Sequence, residues 1–188
     1  MIAAQTFDPS RIAALAQRID RPLALVGLMG AGKSTVGKRL AAMLGTSFID
    51  SDAAIEEAAQ QQVAEIFDAY GEAYFRAGER RVIARLIDEG HGVIATGGGA
   101  FADDATRALL LRRAIAVWLD VDIPTLVART KRRDTRPLLR GGDPAEILSR
   151  LHATRAPAYR EAPIRVTAGT GSHHQTTLEI LEAIDAWL

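Results

Sequence analysis

The chain has 188 residues, 48% hydrophobic and 24% charged, enough for one domain around a single core. Basic and acidic side chains balance at 23 each, so the basic excess of a general nucleic-acid binder is missing. There is no cysteine, no apolar run long enough to span a bilayer and no secretory leader at Met1, so the expectation is a cytoplasmic monomer without disulfides, thiolate chemistry, nucleic acid or membrane.

Asp8 and Pro9 suit the N-cap and first turn of a short amphipathic helix with an apolar stripe of Ile12, Leu15, Ala16 and Ile19. Residues 1–20 therefore read as a helical extension, and residues 21–188 as one domain. Leu23 to Val26 is a short apolar strand that runs into a glycine-rich loop, and Thr35 to Leu44 is helical. Ser47, Phe48 and Ile49 form a second strand ending in Asp50-Ser51-Asp52. Helical patterns fill Ala53 to about Arg85, broken near Gly71. A third strand, Gly92 to Thr96, stops at Gly97-Gly98-Gly99. Asp103 to Arg112 is helical, Ala114 to Leu119 is a fourth strand, and Asp122 caps a further helix. From Arg132 to about Gly142 charges, proline and glycine follow no period, which predicts a loop. Pro144 to about Ala158 returns to helix, Ile164 to Thr167 is a fifth strand, and Thr176 to Leu188 is a terminal amphipathic helix.

Strands alternating with helices predict a three-layer α/β/α fold around a five-stranded parallel sheet. Ligands of such sheets bind beyond the carboxyl ends of the strands, and the glycine and aspartate motifs all fall there. Gly27-Leu28-Met29-Gly30-Ala31-Gly32-Lys33-Ser34 matches G-x-x-x-x-G-K-[ST], with a strand before it and a helix after it. In that pattern backbone N–H groups and the positive helix end cradle phosphates, Lys33 reaches the β- and γ-phosphates, and the Ser34 hydroxyl ligates Mg²⁺. No N-K-x-D guanine reader is present. Asp50 and Asp52 point the same way on an extended segment, where a carboxylate can orient an acceptor hydroxyl or support a metal. Asp52 equally suits the N-cap of the helix opening at Ala53.

Four further runs follow in order: Phe75-Arg76-Ala77-Gly78-Glu79, Ala95-Thr96-Gly97-Gly98-Gly99-Ala100, Arg136-Pro137-Leu138-Leu139 and Arg155-Ala156-Pro157-Ala158-Tyr159-Arg160. With the phosphate loop and Phe48-Ile49-Asp50-Ser51-Asp52, the set resembles shikimate kinase from about Leu23 to Val166. The resemblance implies a P-loop fold with a mobile lid at about 132–142 and the strand order of the nucleoside monophosphate kinases. It implies transfer of phosphate from ATP, with Mg²⁺, to the 3-hydroxyl of shikimate in aromatic amino-acid biosynthesis. By it, ATP lies on Gly30, Ala31, Gly32, Lys33, Ser34 and Thr35, with Arg129 stacked on adenine and Arg136 closing over the phosphates. Arg132 and Arg133 are rivals for the role of Arg129. Asp52 is the base and holds ring hydroxyls, while Arg76 and Arg155 clamp the carboxylate. Gly97, Gly98 and Gly99 bring backbone N–H groups to the acid, and Asp50 supports Mg²⁺ from behind Ser34. Catalysis would fall to Lys33, Asp52 and Arg136. The alternatives are another small-molecule kinase, such as gluconate kinase, and a nucleotide-binding module without turnover.

Overall fold

The computed structural model describes residues 7–130, 142–169 and 171–188. Five parallel strands, β1 (Leu23–Val26), β2 (Phe48–Asp50), β3 (Val93–Ala95), β4 (Ile115–Asp120) and β5 (Ile164–Thr167), form one sheet in the order β2-β3-β1-β4-β5. Position in the sheet explains each strand's composition. Central β1 is buried at every residue, as a strand covered on both faces must be, whereas edge strand β5 alternates buried with exposed. All five strand regions inferred from the sequence are present, displaced by a residue or so at their ends.

Eight helices cover the sheet among the described residues: α1 (Pro9–Arg18), α2 (Lys33–Leu44), α3 (Ser51–Ala59), α4 (Val63–Asp88), α5 (Asp104–Arg113), α6 (Ile123–Thr130), α7 (Pro144–Tyr159) and α8 (His173–Trp187). A 3₁₀ turn, Ala100–Ala102, joins the triple glycine to α5. Asp8 caps α1 by accepting from Arg11 N at 2.9 Å. Leu15 fixes α1 in the main core, and Arg11 and Arg18 both pair with Asp185 on α8. Helix α4 breaks at Gly71, whose φ of 79° and ψ of 172° interrupt the helix where the sequence marks an interruption.

Helix α2 begins at Lys33, two residues ahead of the expected Thr35, and two further starts differ from expectation. Helix α3 begins at Ser51, and its cap is Asp50, which accepts from Asp52 N at 3.0 Å. Asp52 therefore lies inside the first turn and is not the N-cap. Helix α8 begins at His173, capped by Ser172, one turn ahead of the expected Thr176. The main core is built from both sheet faces and the helices on them, with Tyr159 and Phe101 its largest fully buried side chains. A small second cluster of Ile55, Ile66 and Phe75 joins α3 to α4, beside the carboxyl ends of β2 and β3. No described helix is long and apolar enough to cross a membrane.

Candidate active site

The phosphate loop leaves β1 at Gly27, where φ is +137° and a Cβ would stand 2.7 Å from the Leu119 carbonyl oxygen, so only glycine fits the approach to β4. Gly32 (φ +92°) turns the chain into α2 without a side-chain cap, which leaves the first N–H groups of the helix facing the loop. Lys33 is nearly buried and its Nζ donates to the carbonyl oxygens of Gly27 and Leu28 at 2.7 and 2.9 Å. The ammonium thus arches over the cradle it would serve. Ser34 Oγ lies 2.5 Å from Asp50 Oδ2. A hydroxyl and a carboxylate so placed at the mouth of the loop form a hard-oxygen donor set that fits Mg²⁺. Ser34 and Thr35 also line an open groove of about 510 Å³ with Lys38 and Arg39. Arg129 donates to Ala31 O at 3.3 Å and to Gly169 O at 3.1 Å, clipping the phosphate loop to the segment after β5.

The acceptor side is assembled around three peptides. A Cβ on Gly97 would stand 2.7 Å from both Asp52 Oδ1 and Glu79 Oε1. One on Gly98 would meet Met29 N of the phosphate loop at 3.2 Å and Arg155 Nη1 at 3.8 Å. One on Gly99 would strike the guanidinium of Arg76. Successive glycines therefore touch a carboxylate pair, the phosphate loop and the two expected clamp arginines, and any side chain here would displace one of them. Local bonds hold this run in place. Thr96 Oγ1 donates to Leu25 O at 2.9 Å, Gly97 N donates to Ser51 Oγ at 3.1 Å, and the Gly98 carbonyl accepts from Arg155 Nη1 at 2.9 Å and from the Tyr159 hydroxyl at 2.5 Å.

Burial raises the Asp52 carboxyl above the usual carboxylate range; Asp50 and Glu56 add to the rise, and Lys33 and Arg76 oppose it. Asp52 is thus within electrostatic reach of both the phosphate-loop lysine and Arg76. Burial likewise raises Glu79 despite its 2.6 Å ion pair with Arg76. Tyr159 is pushed up to about 12 by burial and stays a donor throughout the physiological range.

Of the residues singled out in the sequence, Lys33, Asp50, Asp52, Arg76, Gly97, Gly98, Gly99, Arg129 and Arg155 converge on the carboxyl ends of β1, β2 and β3. Arg136, with Arg132 and Arg133 and all of the expected lid except Gly142, lies outside the described residues. Three participants were not singled out. Glu79 follows Arg76 by three positions, the spacing that places two side chains on one helix face, so it was legible. Tyr159 follows Arg155 by four and was legible in the same way. Ser51, between the two aspartates, carries no sequence signal of its own.

A family model described as shikimate kinase matches residues 29–185. A shikimate kinase from Novosphingobium aromaticivorans is 54% identical, over 98% of both chains. The structure of shikimate kinase from Acinetobacter baumannii in complex with shikimate superposes with a TM-score of 0.84 at 35% identity, covering 95% of this chain and 98% of that one. A gluconokinase from Sinorhizobium meliloti reaches a TM-score of 0.61 at 16% identity, covering 89% and 93%, a likeness of fold alone.

Proposed function

This chain belongs to the shikimate kinase family and catalyses ATP-dependent phosphorylation of shikimate; we propose that its two adjoining pockets divide that reaction as follows. The loop from Gly30 to Thr35 holds the triphosphate by its N–H groups, and Lys33 swings from the Gly27 and Leu28 carbonyls onto the β- and γ-phosphates. Ser34, supported from behind by Asp50, would hold Mg²⁺, which would offset charge on the phosphate oxygens. Arg129 borders the nucleotide from α6, and Arg136 adds a further cation from the segment after it.

Shikimate lies on the triple glycine with its carboxylate between Arg76 and Arg155. A guanidinium fork suits that planar anion, and two forks from different helices fix its orientation. Asp52 then faces the ring hydroxyls. It orients the 3-hydroxyl toward the γ-phosphorus and accepts its proton as the new O–P bond forms and the bond to ADP breaks. Its raised affinity for protons suits this role better than that of an ordinary surface carboxylate. Phosphoryl transfer needs positioning and charge compensation more than covalent help, and both come from groups held by the fold.

One observation carries this reading: Gly97, Gly98 and Gly99 touch Asp52, the phosphate loop with Arg155, and Arg76 in turn. A coupled ADP-release assay tests it. ADP should appear with shikimate, and not with gluconate or without an acceptor. The Asp52→Asn protein should bind ATP as before and lose turnover by at least about a hundredfold. Equal rates with both acids, or a normal rate for the variant, would remove the acceptor assignment.

A further inference from the structure

Glu79 is completely buried, an unusual place for a carboxylate. Its Oε2 takes Arg76 Nη1 at 2.6 Å, while Oε1 has no hydrogen-bond partner among the described residues. That second oxygen lies against Gly97, where it shares the glycine's empty side-chain position with Asp52 Oδ1. A carboxylate oxygen sealed from water with no donor is costly, and a neighbouring carboxylate makes it more so.

The charges around Glu79 come from four elements. Arg76 and Glu72 lie on its own helix, with Glu72 at 3.4 Å from Arg76. Asp52 faces it from α3, and Asp103 from the turn before α5, where Arg80 lies 3.8 Å from that aspartate. Arg155 stands at the next glycine. Within this group Arg76 is the cation in direct contact with Glu79. On the reading given above, the arriving acid brings a further carboxylate to that same guanidinium.

We propose that shikimate binding is coupled to proton uptake by Glu79. In the free protein Glu79 is the counter-ion of Arg76. When the substrate carboxylate takes up the fork, Arg76 is shared between two anions, and Glu79 closes the charge excess by taking a proton from solvent. No bond other than this O–H forms, and the proton returns to solvent when the product leaves. The geometry gives the proton a place, because protonated Glu79 can donate from Oε1 toward Asp52 while Oε2 still accepts from Arg76. Burial already holds the Glu79 carboxyl above the usual carboxylate range, and a further anion raises it again. Asp52 keeps the part of base assigned to it, and Glu79 is a positioning residue.

Calorimetric titration of shikimate into the intact protein, in buffers of different ionisation enthalpy, reads the proton directly. Above the usual carboxylate range the apparent heat should depend on the buffer with the sign of proton uptake, and the shikimate Kd should rise with pH by at most about tenfold per unit. Glu79→Gln has the shape of the protonated acid and cannot titrate. In that protein the buffer dependence should vanish and the Kd should flatten across the same range, with ATP affinity unchanged as the sign of an intact fold. Equal heats in all buffers, or the same pH slope in both proteins, overturn the proposal. The inference rests on Arg76 as a carboxylate clamp, which is checked separately: if Arg76→Ala binds shikimate normally, the reading of the site itself fails, whereas lost binding beside buffer-independent heats in the parent protein sinks the proton coupling alone.

Discussion

The Gly98 carbonyl oxygen accepts from Arg155 at 2.9 Å and from Tyr159 at 2.5 Å, and the same residue lies against Met29 N of the phosphate loop. Tyr159 is held as a permanent donor by burial, so this peptide is fixed by a neutral donor and a cation from the same helix, α7. Arg155 donates to the Gly98 carbonyl through Nη1 and lies beside the Tyr159 hydroxyl, which leaves the rest of its fork for an incoming anion. Replacing Arg155 by alanine should therefore act on one substrate. A charge-assisted bond contributes about 1.5–3 kcal/mol, so the KM for shikimate should rise roughly 10- to 100-fold. The KM for ATP should stay within about twofold, since the Tyr159 bond still orients Gly98. Steady-state kinetics with each substrate varied in turn measures the split, and equal losses for both would show that Arg155 supports the whole crevice rather than a carboxylate. The chemistry-bearing residues were legible because each stands in a dense local pattern. The contacts that hold them were less so, because a bond such as Tyr159 to Gly98 joins positions 61 residues apart.

Helix ends show where that legibility stops. Asp8 followed by Pro9, ahead of an apolar stripe, gave the start of α1 correctly, since cap, proline and periodicity agree. The start of α3 was misplaced by two residues because two aspartates flank Ser51 and each is an acceptable cap in isolation. The structure uses Asp50, and this leaves the Asp52 side chain to the site. The start of α8 was missed because His173, His174 and Gln175 hide the apolar period, while Ser172 caps the turn and the Thr177 hydroxyl donates to the His173 carbonyl at 2.7 Å. Helix α1 allows a test at this scale. Its cap, Leu15 and the ion pairs to Asp185 tie it to α2 and α8, far in the sequence from the catalytic groups. Loss of the N-cap in Asp8→Ala should destabilise the protein, because the first turn of α1 loses its acceptor. Tm should fall by roughly 2–4 °C with kcat unchanged. A thermal melt beside an activity assay checks both, and a fall in kcat without a fall in Tm would tie the helix to catalysis instead of to the core.

Over the whole molecule the charges cancel, yet the crevice gathers them unevenly. Asp50, Asp52 and Glu79 share one end of the sheet with Lys33, Arg76 and Arg155, and burial raises both Asp52 and Glu79. The native protein consequently binds protons at these two sites more tightly than the unfolded chain. Their contribution to stability is least unfavourable at low pH and worsens as pH rises through their folded pKa values, above the usual carboxylate range. Asp185 works in the opposite sense. Its bonds from Arg11 and Arg18 lower its pKa, so its stabilisation is present above the ordinary aspartate value and is lost as pH falls toward the folded one. The difference can be read from one variant. Asp52→Asn removes a carboxylate that burial disfavours, and it should raise the Tm of the ligand-free protein at pH 8 by roughly 2–4 °C, with turnover lost on the role proposed for Asp52. As pH is lowered from 8 through the raised folded value of Asp52 the parent protein protonates that carboxylate and the gap should narrow, because an asparagine and a neutral aspartic acid place the same charge in the crevice. Melting curves of both proteins across that range decide the point: a gap that is absent at pH 8, or that keeps one size at every pH, would mean that the buried carboxylate does not oppose folding.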